Sequence, residues 1–284
     1  MWMQHYKPPS VRLPSLGKLM QCFYVATLAL ALGGAVSKAA ETQDPWPDLA
    51  QDIFKGRPLA DGAGLISIDM PSRAEDAAIV PVTLRATLPF GDARTLKTIT
   101  LVIDQNPAPV AGTFQVGAGV TTISTRVRVD SYTNVHAVAE LSDGQLYVTT
   151  LFIKASGGCS APTAKNAEEA KVNLGQMRFR QFTKPSDGPV SGPREAQIML
   201  RHPNNSGLQR DQVTLLYVPP FFVRELRVWQ GDDLVLALDS GISISEDPNI
   251  RFTYLSNGAT HFRAEAIDTN GNVFKGEWPI EAAM

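Results

Sequence analysis

The chain has 284 residues, 44% hydrophobic and 19% charged, ordinary values for a soluble globular protein with room for one or two domains of roughly 100–200 residues each. Its formal net charge of -2 excludes a strong field favouring nucleic acid or an anionic membrane.

Lys7, Arg12 and Lys18 precede an apolar run from Phe23 to Val36, and Ser37 and Ala39 stand at the -3 and -1 positions of a cleavage before Ala40. A basic stretch, a short apolar core and a small-x-small site have the order of a secretory signal, and the run is short for a membrane span. Residues 1–39 are therefore expected to be removed on export; an uncleaved anchor is the alternative. That segment holds four of the 26 basic residues and no acidic one, so the remainder carries 22 basic against 28 acidic side chains, a formal charge of -6. Cys22 lies at the edge of the signal, in LMQC, a poor lipobox. Cys159 is then the one thiol left, with no internal disulfide available to it.

DPWPDLAQDIFKG reads as one short helix, with Asp44 suited to cap it, Pro47 to its first turn and Gly56 to its end. Short runs rich in Val, Ile, Thr and Leu follow: Ile66–Met70, Ile79–Leu88, Leu96–Ile103, Val120–Val129, Asn134–Leu141 and Gln145–Ile153. Turn signals such as LPFGD, QNPAP, VGAG and LSDGQ separate them. In Thr121–Val129, Ile123, Thr125, Val127 and Val129 share one face and Arg126 and Arg128 the other. Strands at roughly 8–12-residue spacing predict a β-sandwich.

Cys159 stands in FIKASGGCSAPTA. Gly157 and Gly158 remove the Cβ constraint at two successive positions, so this arm is expected to flex and expose the thiol. The thiolate is the reactive form, and its availability depends on exposure and local charge; the plainer reading is an inert turn cysteine. KNAEEAKVNLG then reads as a short helix, Gln176–Phe182 as a strand, and KPSDGPVSGP (184–193) as a linker. A second β-rich module follows from Arg194, with runs Ala196–Arg201, Gln212–Tyr217, Phe222–Trp229, Leu234–Leu238, Arg251–Leu255, Thr260–Asp268 and Val273–Trp278. QGDD and DTNGN are hairpin-type turns.

The expected fold is all-β: two immunoglobulin-like β-sandwich domains in tandem, with a short N-terminal helix and a short helix in the connecting segment. The expected divisions are a signal at 1–39, a first sandwich at 40–159, a connecting segment at 160–193 and a second sandwich at 194–284.

Other chemistry-bearing residues are scattered. His136, His202 and His261 have neither metal-ligand spacing nor a second cysteine nearby, so no metal site is expected. His202, in RHPNNSG, reads as a turn or packing residue. Asp104, in IDQNPAP, reads as turn chemistry. Arg126 and Arg128 suit either an anionic adduct or a solvated strand face with ion pairs to residues such as Asp130. There is no Ser/His/Asp motif, phosphate-cradling glycine loop or nucleotide fingerprint, and no cofactor is expected.

The stretches MPSRAEDAAIVPVTL, LVIDQNPAPVAGTFQV, STRVRV, VHAVAELSDGQLYV and FIKASGGC make the first module resemble SoxY, the substrate-carrier subunit of the periplasmic thiosulfate-oxidising Sox system. IMLRHPNNSGLQRD, VPPFFVRELRVWQGDDLVL, SISEDPNIRF and AIDTNGNVFKGEW make the second resemble its partner subunit, SoxZ. In this order the chain is similar to fused SoxYZ-like carriers associated with quinoprotein dehydrogenases. The resemblance implies a periplasmic protein, not itself an enzyme, whose Cys159 holds a sulfur-containing substrate covalently on a flexible arm built from Gly157 and Gly158. It implies pairing of the two modules in cis, and as partners Sox-type enzymes or a quinoprotein dehydrogenase with its cytochrome c, with no nucleic acid and no membrane once the signal is cleaved. In SoxY the cysteine lies in a terminal GGCGG; here SAPTA follows it, so the arm is tethered at both ends and Pro162 stiffens its exit. The alternatives are a non-covalent accessory or scaffold of a quinoprotein (PQQ) dehydrogenase system with Cys159 structural or vestigial, and a cysteine enzyme, which needs a base within reach of the sulfur.

Overall fold

The computed structural model describes residues 44–162, 172–182 and 192–280. The segment expected to direct export, with Cys22, most of the expected connecting helix and most of the linker lie outside these residues. Pro45–Met284 forms one compact unit.

A single helix, α1 (Trp46–Phe54), opens the described chain. Pro45 occupies the N-cap and Pro47 falls in the first turn, where a missing N–H costs nothing. Lys55 ends the helix in the left-handed region, with φ of 55°. The start and stop therefore each fall one residue inside the positions expected for Asp44 and Gly56. Trp46 stacks on the His136 ring at 3.6 Å, and Phe54 is buried, which fastens the helix to the sheet beneath.

The first module contributes β1 (Leu59–Asp61), β2 (Ile66–Asp69), β3 (Val80–Ala86), β4 (Leu96–Ile103), β5 (Val110–Val116), β6 (Thr122–Val127), β7 (Thr133–Leu141) and β8 (Leu146–Ile153). The second contributes β9 (Met177–Phe182), β10 (Arg194–Leu200), β11 (Val223–Gln230), β12 (Asp233–Ser240), β13 (Asn249–Tyr254), β14 (His261–Asp268) and β15 (Val273–Pro279). β9 pairs with β10 from Phe182 opposite Glu195 to Met177 opposite Leu200, so the second module begins within the segment between the modules.

The modules are sandwiches that share both of their sheets. One sheet has nine strands in the order β1-β8-β7-β4-β5-β12-β11-β14-β15, and the other has six, β2-β3-β6-β13-β10-β9. The junctions are antiparallel pairs: Val116 opposite Leu236 through Gly112 opposite Ser240 between β5 and β12, and Ser124 and Ile123 opposite Arg251 and Phe252 between β6 and β13. Edge strands of each module thus satisfy one another's backbone groups. Between the sheets runs one continuous apolar core, including Leu84, Ile99, Phe114 and Ile123 from the first module and Ile198, Leu236, Phe252 and Phe262 from the second.

Three segments depart from the sequence reading, the first being β1 (Leu59–Asp61), a short strand parallel to β8 where no run is expected. Val110–Val116 (VAGTFQV) is a full strand, although its PAP start and Gly112 weaken the pattern that flags one. Gln212–Tyr217, whose apolar run reads as a strand, is an exposed loop that joins neither sheet and folds back on itself through a single bridge between Arg210 and Tyr217. Among the described residues no helix is long and apolar enough to cross a membrane.

Candidate functional site

Cys159 lies where the two modules meet at one end of the sandwich. β8 leaves the sheet after Ile153, and the Lys154 amide still donates to the Ser72 carbonyl. The chain then turns over the segment that follows β6. The Gly157 amide donates to the Asp130 carbonyl at 2.7 Å and the Gly158 amide to the Val129 carbonyl at 3.1 Å. The Cys159 amide donates to Asp130 Oδ1 at 3.2 Å. Gly157 has φ of 74°, a region that residues with a Cβ rarely adopt. At Gly158 a Cβ would lie 2.1 Å from the Ala77 carbonyl oxygen and 2.6 Å from that of Val129. Two rigid backbones leave room for glycine only.

The second module closes the segment from the other side. The hydroxyl of Ser206 donates to the Cys159 carbonyl, and the Ser206 amide donates to Gln209 Oε1 at 2.9 Å. Arg128 spans the boundary: Nη1 donates to the Gly158 carbonyl and Nη2 to the Asn204 carbonyl, both at 3.3 Å. Asn204 in turn donates to the Ile244 carbonyl and accepts from the Val223 amide. The RHPNNSG loop of the second module and the GGC segment of the first are two halves of one clasp.

This arrangement corrects the expectation of a mobile, exposed nucleophile. Cys159 has no exposed surface. Burial pushes its thiol up to about 12, the nearby Asp130 carboxylate adds to this, and the Arg128 guanidinium opposes it. In this conformation the sulfur is protonated at neutral pH and shielded from reagents. The paired glycines permit close packing and a left-handed turn here, in place of the mobility expected of a flexible arm. No hydrogen bond reaches the sulfur among the described residues, and the charged groups that shift it are Asp130 and Arg128 rather than a histidine.

The histidines serve elsewhere. His136 is buried, with Nε2 3.0 Å from Asp104 Oδ2 and Nδ1 2.8 Å from Thr150 Oγ1. Asp104 stands in a turn after β4, and its carboxylate faces His136. His202 is also buried. Its Nδ1 accepts from the Asn204 amide at 3.1 Å, its own amide donates to Asp247 Oδ1, and burial holds its pKa below the usual imidazole value. It shapes the loop that carries Asn204 and Ser206. Among the described residues no group of three His, Cys, Asp or Glu side chains is arranged to hold a metal ion.

Sequence reasoning gives no site role to Ser206, and offers Asp130 only as an ion-pair partner for the neighbouring arginines. Alternation in STRVRV puts Arg128 on the polar face, yet it is 1% exposed, because the clasp covers that face. Arg126, on the same face, is half-buried and donates to the Asp247 carbonyl at 2.8 Å. Both arginines hold backbone of the second module, a use that strand periodicity does not reveal.

Residues 50–159 match the family model described as sulfur oxidation protein SoxY, and residues 184–279 match that of sulphur oxidation protein SoxZ. The SoxY match ends at Cys159. Among solved structures, the sulfur carrier protein SoxY from Chlorobium limicola f thiosulfatophilum aligns at 24% identity over 39% of this chain and 91% of its own, with a TM-score of 0.32. A superoxide reductase (neelaredoxin) from Ignicoccus hospitalis aligns at 16% identity over 38% and 90%, with a TM-score of 0.28. A putative superoxide reductase from Thermotoga maritima aligns at 13% identity over 36% and 96%, with a TM-score of 0.30. Likenesses at this level bear on neither function nor mechanism. The curated proteins contain no match. The chain carries a SoxY domain and a SoxZ domain in tandem, joined in cis through both sheets.

Proposed function

We propose that this tandem of a SoxY and a SoxZ domain is a periplasmic sulfur carrier, which holds a sulfur-containing substrate on Cys159 while separate redox enzymes act on it. The observation that carries the reading is the order of the two matches, with the first ending on the only cysteine after residue 39. The chemistry accounts for the need for partners. Joining the Cys159 sulfur to the outer sulfur of thiosulfate makes one S–S bond and releases the thiol proton and two electrons. The electrons need an acceptor outside this chain, such as a Sox-type enzyme or a quinoprotein dehydrogenase with its cytochrome c. Loading also needs the clasp to open, since the thiol is protonated and covered while Ser206 and Arg128 hold its backbone. The hydrogen bonds that hold it are each worth about 1 kcal/mol net, which a partner's binding energy can offset.

The burial of the sulfur favours a second reading. In it Cys159 is a packing residue, and the chain is a non-covalent accessory or scaffold of a quinoprotein dehydrogenase system.

Intact-mass spectrometry on protein purified from its native cells separates the two. A reproducible added mass on Cys159, such as a persulfide or thiosulfonate, is expected for the carrier. A uniformly free thiol, with undiminished sulfur-dependent electron transfer in a Cys159→Ser variant, sinks it. The same intact mass reports the start of the purified chain, and a chain beginning at Ala40 is expected from export.

A further inference from the structure

The loop from Arg210 to Tyr217 projects apolar side chains into solvent. Val213 is 90% exposed, Leu215 68%, Leu216 70% and Tyr217 60%. Isolated exposed apolar residues are ordinary, but four within five positions form a patch. The loop nevertheless has a definite shape. Asp211 Oδ1 accepts from the Val213 amide at 3.0 Å, the Thr214 amide at 2.7 Å and the Thr214 hydroxyl at 2.9 Å. The Asp211 amide donates to the Leu216 carbonyl, and the Leu215 amide to the Asp211 carbonyl. At the base, the Arg210 guanidinium stacks on the Tyr217 ring at 4.8 Å and donates to its hydroxyl. Leu215 has φ of 60°. A leucine in the left-handed region is strained, and such strain gathers at ligand clamps and functional surfaces.

The loop's position ties it to Cys159. The Val218 amide donates to the Gln209 carbonyl at 2.9 Å, Gln209 Oε1 accepts from the Ser206 amide, and the Ser206 hydroxyl donates to the Cys159 carbonyl. Arg210 follows Ser206 by four positions, a reach of at most about 14 Å. The apolar projection is therefore continuous with the interface that clasps the thiol segment.

We infer that Val213, Leu215, Leu216 and Tyr217 form a prong on which the enzyme acting on Cys159 docks, through an apolar socket bordered by a carboxylate that meets Arg210. Arg210 has no ion-pair partner among the described residues, which leaves its charge available to that carboxylate. Four side chains offer far less than the roughly 1,200–2,000 Å² buried in a stable interface, which argues against a lasting dimer of this chain. They suit a transient encounter, as a carrier passed between enzymes requires. The inference rests on the carrier reading.

The test compares the wild-type chain, a Val213→Ser/Leu215→Ser/Leu216→Ser triple variant and a Phe90→Ser control. Phe90 is fully exposed, in a turn of the first module remote in sequence from the clasp. Each is incubated with thiosulfate and a periplasmic fraction from the native cells depleted of this chain, and adduct on Cys159 is followed by intact mass. The expected result is adduct formation at least tenfold slower in the triple variant and unchanged in the control, with equal thermal midpoints and equal iodoacetamide reaction rates across all three. Equal adduct rates in wild type and triple variant overturn the docking role and leave the carrier reading standing. Adduct on none of them removes the carrier reading and the docking role with it. A changed iodoacetamide rate in the triple variant assigns the loop to holding the thiol segment and overturns docking. A wild-type dimer that the triple variant dissolves, seen by sedimentation velocity, assigns the prong to a second copy and overturns it as well.

Discussion

Cys159 combines a sequence context that suggests mobility with surroundings that exclude it. Its thiol ordinarily ionises near 9.0 and is pushed to about 12 by burial and by Asp130. At pH 8 the folded protein therefore holds about a thousandfold less thiolate than an ordinary cysteine would. Alkylation of the native protein by iodoacetamide should be at least about a hundredfold slower than in denaturing urea, with the residual rate reporting opening of the clasp. An acid whose folded pKa is raised stabilises the fold while it stays protonated. Below about pH 9 the thiol is protonated in both states and its contribution to stability is fully present. Between about pH 9 and 12 only the unfolded chain ionises, so stability falls. Urea titrations across that window should show this loss in the wild type and not in a Cys159→Ser variant; equal alkaline losses would contradict the buried, protonated thiol.

At the scale of elements, the arm is held by fit. Gly158 sits against the Ala77 and Val129 carbonyl oxygens, so the Gly158→Ala methyl would fall 2.1 Å from the first. Neither oxygen belongs to a side chain that can rotate away. The variant is expected to keep its sheets and lose the docked arm, at a cost of about 1–3 kcal/mol. Its Cys159 should alkylate at least about tenfold faster than wild type, and a rate as slow as wild type would show that the arm docks in some other way. FIKASGGC marks this segment in the sequence, and the glycine pair is visible there. Whether the glycines serve motion or close approach depends on residues 77 and 129, which meet Gly158 only after folding. Arg128 has the same dependence, since period-2 alternation ranks it as solvated until a loop from the other module covers it.

For the whole molecule, the shared sheets make the two modules one cooperative unit. Phe114 on β5 is fully buried and stands opposite Leu238 on β12, at the junction. Phe114→Ala should cost about 3–5 kcal/mol. Because the core is continuous, the loss should lower one common transition, in which far-UV circular dichroism and tryptophan fluorescence from Trp46, Trp229 and Trp278 coincide. Separate transitions would mean that the modules fold independently and that the β5–β12 and β6–β13 pairings contribute little.

The sequence alone settled the local and the modular. Alternating Val, Ile and Leu runs placed most strands within one or two residues, since half-buried strands impose a period of two. Motif order identified the two modules, and the lone cysteine marked the junction between them. Only the tertiary structure decided what depends on residues distant in the chain. The two sandwiches share their sheets, because edge-strand hydrogen bonds carry no side-chain signature. The loop at Gln212–Tyr217, as apolar as a strand, is held out of both sheets by the turn that Asp211 closes. The thiol of Cys159 is buried and protonated, because the groups that surround it, Arg128, Asp130 and Ser206, lie far from it in the sequence and meet it only in the folded clasp.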